Sequence, residues 1–305
     1  MAANDIFREE MAAAGIITHD RIIADGRLHR IHVIGDRRGT RNGWYVLYGN
    51  HPVVGIFGCW KRNVKKKWVM EYSKNWPTSA LRTLREREEL LEQQLQANFQ
   101  DSIRAQKKIA VLWQSAPKAH NCHGYLKRKQ VKAFGLRYDR GALLVPVTDA
   151  DGELHGLQRI WPNGDKRFMP GTIISGNFYL IGEIVDKTIL LAEGYSTSAT
   201  LHQVTGLACA VAFGAENLLL AARALRAAWP SCRIVICGDD DHMTPGNPGR
   251  TLAVEVAQDI GAAIRMPCFP AGRSLGDTDF NDLYRIGGAE AVLYSMDLKG
   301  GIVYV

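Results

Sequence analysis

The chain has 305 residues, is 46% hydrophobic and 23% charged, and carries a net charge of +7. That composition supports one large or two modest cores and excludes a disordered or fibrous chain. No apolar run reaches the roughly 18–20 residues that span a bilayer. The start, "MAANDIFREEMAAAG", carries acids and lacks the apolar stretch of a secretion signal, so a cytoplasmic protein with no membrane partner is expected.

Residues 21–76 read as β-rich. "LHRIHVI", "GWYVLYG", "PVVGIFGCW" and "KKWVMEY" are short aromatic and β-branched runs separated by turn-like stretches. They predict a small antiparallel sheet or barrel. Its aromatics (Trp44, Tyr45, Tyr48, Phe57, Trp60, Trp68) alternate with cations, among them Arg38, Arg41, Lys61, Lys65, Lys66 and Lys67. Rings can stack on bases while cations neutralise phosphates; equally, each ring can simply fill the core. From Thr78 to about Ser115 there is no Gly or Pro and strong helix formers dominate, which predicts one long helix. Leu81, Leu84, Leu91, Leu95 and Phe99 form its apolar stripe.

After 119 comes "HNCHG", the nearest approach to a metal-ligand cluster. No second ligand pair accompanies it and the six cysteines show no C-x-x-C spacing, so no zinc and no disulfide framework is expected. "GALLVPVTDADGELHGLQRIWPNGDKRFMPG" (141–171) reads as strand, turn, strand, turn, strand. From 188 onward, apolar strands alternate with helical stretches: "KTILLAE", "LACAVAFG", "CRIVICG" and "AAIRMPCF" each precede one. Near-continuous apolar strands with helical crossovers predict a parallel sheet covered on both faces.

Ligands of such sheets bind beyond the carboxyl ends of the strands. Glu193 follows the strand "TILLA", and Asp239, Asp240 and Asp241 follow "RIVIC". If those strands are neighbours, Glu193, Asp239 and Asp241 converge, with Asp240 facing away. Carboxylates so crowded repel one another unless a cation intervenes. Mg²⁺, or Mn²⁺, bound by carboxylates and bridging to phosphates is the expected cofactor. Asp279, Asn281 and Asp282 in "DTDFNDLY" either join this site or cap the final helix. Charge is divided accordingly. Residues 1–140 hold 26 basic and 13 acidic residues, and 141–305 hold 12 and 18, as suits a chain that grips a polyanion while holding cations. A nucleophile elbow, a Walker A loop and an aspartyl-phosphatase motif are not matched.

Glu-Gly after one strand and D-x-D after another, followed by a Gly-led helix, resemble the Toprim fold. "HGYLKRKQV", the 141–171 segment and "DFNDLY" narrow the resemblance to the Toprim primases of plasmids and phages, over roughly 110–290. The fold class implied is α/β: a Toprim parallel sheet flanked by helices, preceded by a small mixed subdomain, a long helix and a basic β-rich N-terminal domain. The expected boundaries are 1–77, 78–118, 119–182 and 183–305. The resemblance implies that Glu193, Asp239 and Asp241 hold the metal and carry catalysis. Arg159 and Lys166, with Lys127 and Lys129, would contact template or nucleotide. The chain departs from bacterial primases in lacking a zinc-ligand set near its N-terminus. The activity implied is primer synthesis from ribonucleoside triphosphates on single-stranded DNA, with a replicative helicase as a separate partner. A Toprim nuclease, or a non-catalytic nucleic-acid-binding protein, is the alternative.

Overall fold

The structure is a computed structural model. It describes residues 3–36, 41–50, 52–59, 61–62, 64–70 and 78–296, with the backbone alone for several residues of 78–99. The chain divides into two compact units, Met1–Asp101 and Ser102–Val305. Among the described residues no helix is long and apolar enough to cross a membrane.

In the first unit, strands β1 (His29–Ile31), β2 (Gly43–Tyr48), β3 (Val54–Cys59) and β4 (Val64–Val69) form an antiparallel sheet in that order. The expected β-rich region is thus a four-stranded meander. A helix that the sequence reading did not anticipate, α1 (Ala3–Ala13), covers one face. Its Phe7 and Met11, one turn apart, are fully buried among Tyr45, Phe57 and Trp68. Phe7 meets those three rings edge-on at 5.8, 5.5 and 5.2 Å between centroids, a geometry aromatic quadrupoles favour. These rings are core, as is buried Trp44, and they offer no stacking surface.

The long helix α2 (Thr78–Ser115) forms as expected. The side chains of its proposed stripe, Leu81 to Phe99, lie outside the described residues. In the second unit, Ile109 of α2 and Ala116 just after it pack under a second antiparallel sheet with Leu144 and Leu157. Short helix α3 (Gly124–Lys129) precedes that sheet. Its strands are β5 (Arg137–Asp139), β6 (Ala142–Thr148), β7 (Leu154–Ile160) and β8 (Lys166–Phe168). The opposite face puts Leu143, Val145 and Ile160 against Tyr195 and Ala199.

The remaining strands are β9 (Tyr179–Ile181), β10 (Thr188–Ala192), β11 (Ala208–Val211), β12 (Arg233–Cys237) and β13 (Ala263–Arg265). They form one sheet in the order β13-β12-β10-β11-β9, parallel except for edge strand β9. "GNFYLIGEI" (176–184) therefore supplies β9 to this sheet, and its Phe178 bridges to Thr148 of β6 in the preceding one. Helices α4 (Tyr195–Thr205), α5 (Ala215–Ala228), α6 (Pro248–Ile260) and α7 (Phe280–Met296) cover it. Along β10 the side chains alternate. Ile189 and Leu191 join Leu218, Leu225 and Val256 of α5 and α6, whereas Leu190 and Ala192 join Leu201 of α4 and Leu283 of α7. Both faces are buried, which is why the strand carries no polar residue between Ile189 and Ala192.

One buried amide ties the sheet to the segment before it. Asn217 accepts from the Gly176 N–H at 2.8 Å and donates to the carbonyls of Asn177 and Ala212 at 2.7 and 3.0 Å. Asn217→Ala orphans all three groups and is expected to cost about 3 kcal/mol or more in urea-induced unfolding.

Candidate active site

Strands β10 and β12 are direct neighbours, with Leu191 opposite Ile236. Extending that register sets Glu193 level with Gly238, so the acids after each strand emerge side by side beyond the same edge. Gly194 then starts α4. The Lys166 ammonium lies beside it, 3.7 Å from where a Cβ would stand.

Asp239 is the centre of the group. Its Oδ1 is buried and has no hydrogen-bond partner. Burial pushes its carboxyl well above the usual range, and the negative charges of Glu193, Asp279, Asp241 and Asp282 push it further. Asp241 accepts the Gly249 N–H from the first turn of α6 at 3.0 Å. Asp240 turns away. It pairs with Arg273 at 2.8 Å and Arg250 at 3.3 Å and accepts from Asn247 at 2.7 Å. Burial raises its pKa, but these donors outweigh it and hold Asp240 below the usual carboxylate value.

The "DTDFNDLY" segment both caps a helix and serves the acidic group. Asp279 Oδ1 accepts the Asp282 N–H at 2.8 Å, the bond of a helix cap. Its Oδ2 accepts from Thr197 of α4 at 3.0 Å, and its charge acts on both Asp239 and Lys166. Burial, then Asp282, raise the Asp279 pKa. Asp282 receives Lys129 and Arg285, each at 3.4 Å. Asn281 is fully buried and donates to the Lys129 carbonyl at 2.7 Å and to Thr200 at 2.8 Å, which fastens α3 to α4 and α7.

Lys166 is exposed overall. Desolvation of its ammonium lowers its pKa from the ordinary lysine value, against the opposing pull of Asp279 and Asp239. Arg159 lies on the other face of the same sheet, because Lys166 pairs across with Ile160 and Arg159 with Arg167. Asp139 holds the Arg159 guanidinium at 2.5 Å. Lys127 is exposed on α3. In the first unit, Lys61 is bound to Asp36 at 3.0 Å and Lys66 to Glu10 at 2.9 Å; Arg41, Lys65 and Lys67 are exposed. Arg38 and Trp60 lie outside the described residues.

Glu193, Asp239 and Asp241 do not draw their oxygens into a single tight trio. Among the described residues, three ligand groups within 4.8 Å of one another occur at Asp149, Glu153 and His155. By its sequence "DADGELH" is a turn. Its bonds are those of a turn: Asp149 accepts from the Asp151 and Glu153 N–H groups, at 3.0 and 2.9 Å, and pairs with His155 at 2.7 Å. His123 of "HNCHG" is likewise occupied in capping α3. The orphaned Asp239 Oδ1, in a carboxyl that feels the charges of four further carboxylates, is the position whose chemistry calls for a cation. Magnesium that keeps its waters is compatible with carboxylates standing further apart.

Residues 188–290 match the Toprim domain family, whose members bind divalent metal. Two curated Escherichia coli proteins named DNA primase TraC are similar to the chain. One is 31% identical over 88% of this chain and 27% of that protein; the other is 30% identical over 88% and 20%. The chain thus spans about a quarter of the length of these relatives. A solved structure of the DnaG primase catalytic domain bound to ssDNA is 17% identical, covering 66% of this chain and 80% of that one at a TM-score of 0.46. Residues 188–290 thus carry a Toprim domain, and sequence similarity to the TraC primases runs over 88% of the chain.

Proposed function

We propose that this chain is a DNA primase that joins ribonucleotides into short primers on single-stranded DNA during plasmid or phage replication. The observation that carries the reading is the partnerless, buried Asp239 Oδ1 amid Glu193, Asp241, Asp279 and Asp282, in a chain similar to the TraC primases. Glu193, Asp239 and Asp241 would hold Mg²⁺ or Mn²⁺, which supplies neutralisation of the charge that builds on the reacting triphosphate. Asp279 hydrogen-bonds Thr197 and so keeps the start of α4 against the acidic group. Lys166, beside Gly194, is placed to meet a triphosphate oxygen or the template backbone. Lys127 and Lys129 offer further cations to the template, and the first unit carries cations of its own. A replicative helicase is the partner this reading calls for, in the cytoplasm.

The test is template-dependent primer synthesis from labelled ribonucleoside triphosphates and Mg²⁺. Asp241→Ala is expected to abolish product. Lys166→Ala is expected to lower kcat/KM roughly 100- to 1000-fold, the scale of losing one charge-stabilising donor to the transition state. Absence of any product on any template removes the primase reading. Cleavage of labelled DNA by the wild type, lost in Asp241→Ala, would establish a nuclease instead.

A further inference from the structure

Adjacent residues on β8 face opposite ways. Lys166 turns toward the acidic group, and Arg167 lies on the other side of the sheet. Through the pairs Arg137–Leu144, Leu144–Arg159 and Arg159–Arg167, three arginines stand in register on that face. Two of them are engaged. Arg137 donates to the Ala116 carbonyl at 2.6 Å and lies 5.0 Å over the Trp113 ring, and Arg159 is held by Asp139. Arg167 is exposed and makes no hydrogen bond or ion pair among the described residues.

Beside Arg167 the β7–β8 turn opens a cleft of about 490 Å³ lined by Trp161, Pro162, Asn163, Asp165 and Arg167. The turn is stiff. Trp161 N–H donates to the Asp165 carbonyl at 3.0 Å, and Asn163 and Asp165 bond each other through side chain and backbone at 2.9 and 3.1 Å. From α3, Arg128 donates to the Pro162 carbonyl at 2.6 Å. A partly exposed indole is therefore held in place next to an unengaged guanidinium.

We propose that this cleft binds one base of single-stranded DNA, stacked on the Trp161 indole with the adjoining phosphate on Arg167. The pairing of one aromatic face with one free cation matches the two halves of a nucleotide. The Asp165 carboxylate in the same wall disfavours a bare anion, so the phosphate belongs on the Arg167 side. The proposal rests on the primase reading for the strand's course. Lys166 and Arg167 are consecutive on β8, so the cleft lies one strand's thickness from the Lys166 that faces the acidic group. Stacking on a preformed platform spares the strand part of its ordering cost and holds the template in line.

The test uses the full chain and a fluorescently labelled single-stranded oligodeoxynucleotide, with affinity read by anisotropy across a salt series. Trp161→Ala is expected to weaken binding about tenfold or more, and Trp161→Phe to restore most of it. Arg167→Ala is expected to reduce the slope of log affinity against log salt by about 1. Melting temperatures of all three should match the wild type, since neither side chain belongs to a buried cluster. Wild-type affinity in both alanine variants overturns the cleft, and leaves the primase reading standing if primers are still made. Equal loss in Trp161→Ala and Trp161→Phe also overturns it. Binding that depends on Trp161 in a protein that makes no primer supports the cleft and removes the primase reading.

Discussion

Asp239→Asn is expected to cut primer synthesis by at least about 100-fold while raising the melting temperature of the metal-free protein. The two effects share one cause. Burial and four neighbouring carboxylates all act against the ionised Asp239 side chain, and its buried oxygen has no donor. Asparagine keeps the shape, removes the charge and brings two N–H groups to a place rich in acceptors. Relief of this strain is expected to give about 1–2 kcal/mol, or a few degrees in a unit of this size. The same change removes a ligand whose worth at the transition state is several kcal/mol. Calorimetry in chelator reads the first effect and the primer assay the second. Adding Mg²⁺ should then raise the melting temperature of the wild type, because binding to the folded state alone stabilises it, and leave Asp239→Asn unmoved. An equal Mg²⁺ response in both proteins would put the cation elsewhere, with Asp149, Glu153 and His155 the next place to look. A variant that melts lower than the wild type in chelator and still primes would contradict the assignment.

Gly249→Ala is expected to damage the same centre from behind. Gly249 sits in the first turn of α6, after the Asn247 cap. A Cβ there would stand 2.5 Å from the Asp239 carbonyl oxygen, 2.9 Å from Asp241 Oδ2 and 3.1 Å from the Asp239 carbonyl carbon. Two of these atoms are backbone and cannot swing aside. Either the 239–241 segment or the start of α6 must shift, at about 1–3 kcal/mol for overpacking. A displacement near 1 Å at reacting groups can cost roughly 100-fold in rate. The expected result is a lower urea midpoint together with a loss of primer synthesis of roughly 10- to 100-fold. Gly276→Ala is the control, since a Cβ there meets nothing within 4 Å, and it should change neither. Wild-type activity and an unchanged midpoint in Gly249→Ala would show that the acids do not depend on this close approach.

The residues alone determined much of this protein. "ILLA", "ACAV" and "IVIC" are apolar without interruption because both faces of their strands are covered, and that pattern is visible in a few consecutive letters. A carboxylate placed straight after such a strand is visible in the same way, as are the long α2 and the meander of the first unit. What a local pattern does not encode is which segments meet. The sheet order placing β12 beside β10, the use of β9 as an antiparallel edge, and the docking of α1 onto the rings of β2, β3 and β4 were settled by tertiary packing. Asp279 is a helix cap by sequence; only the fold turns its charge on Asp239 and Lys166. Arg159 and Lys166, seven residues apart, look like one basic pair until strand pairing sends them to opposite faces. The physical reason is that side-chain periodicity and burial act over a few residues. Strand neighbours and converging charges depend instead on contacts between segments far apart in the chain, whose energies appear only once the whole unit has closed.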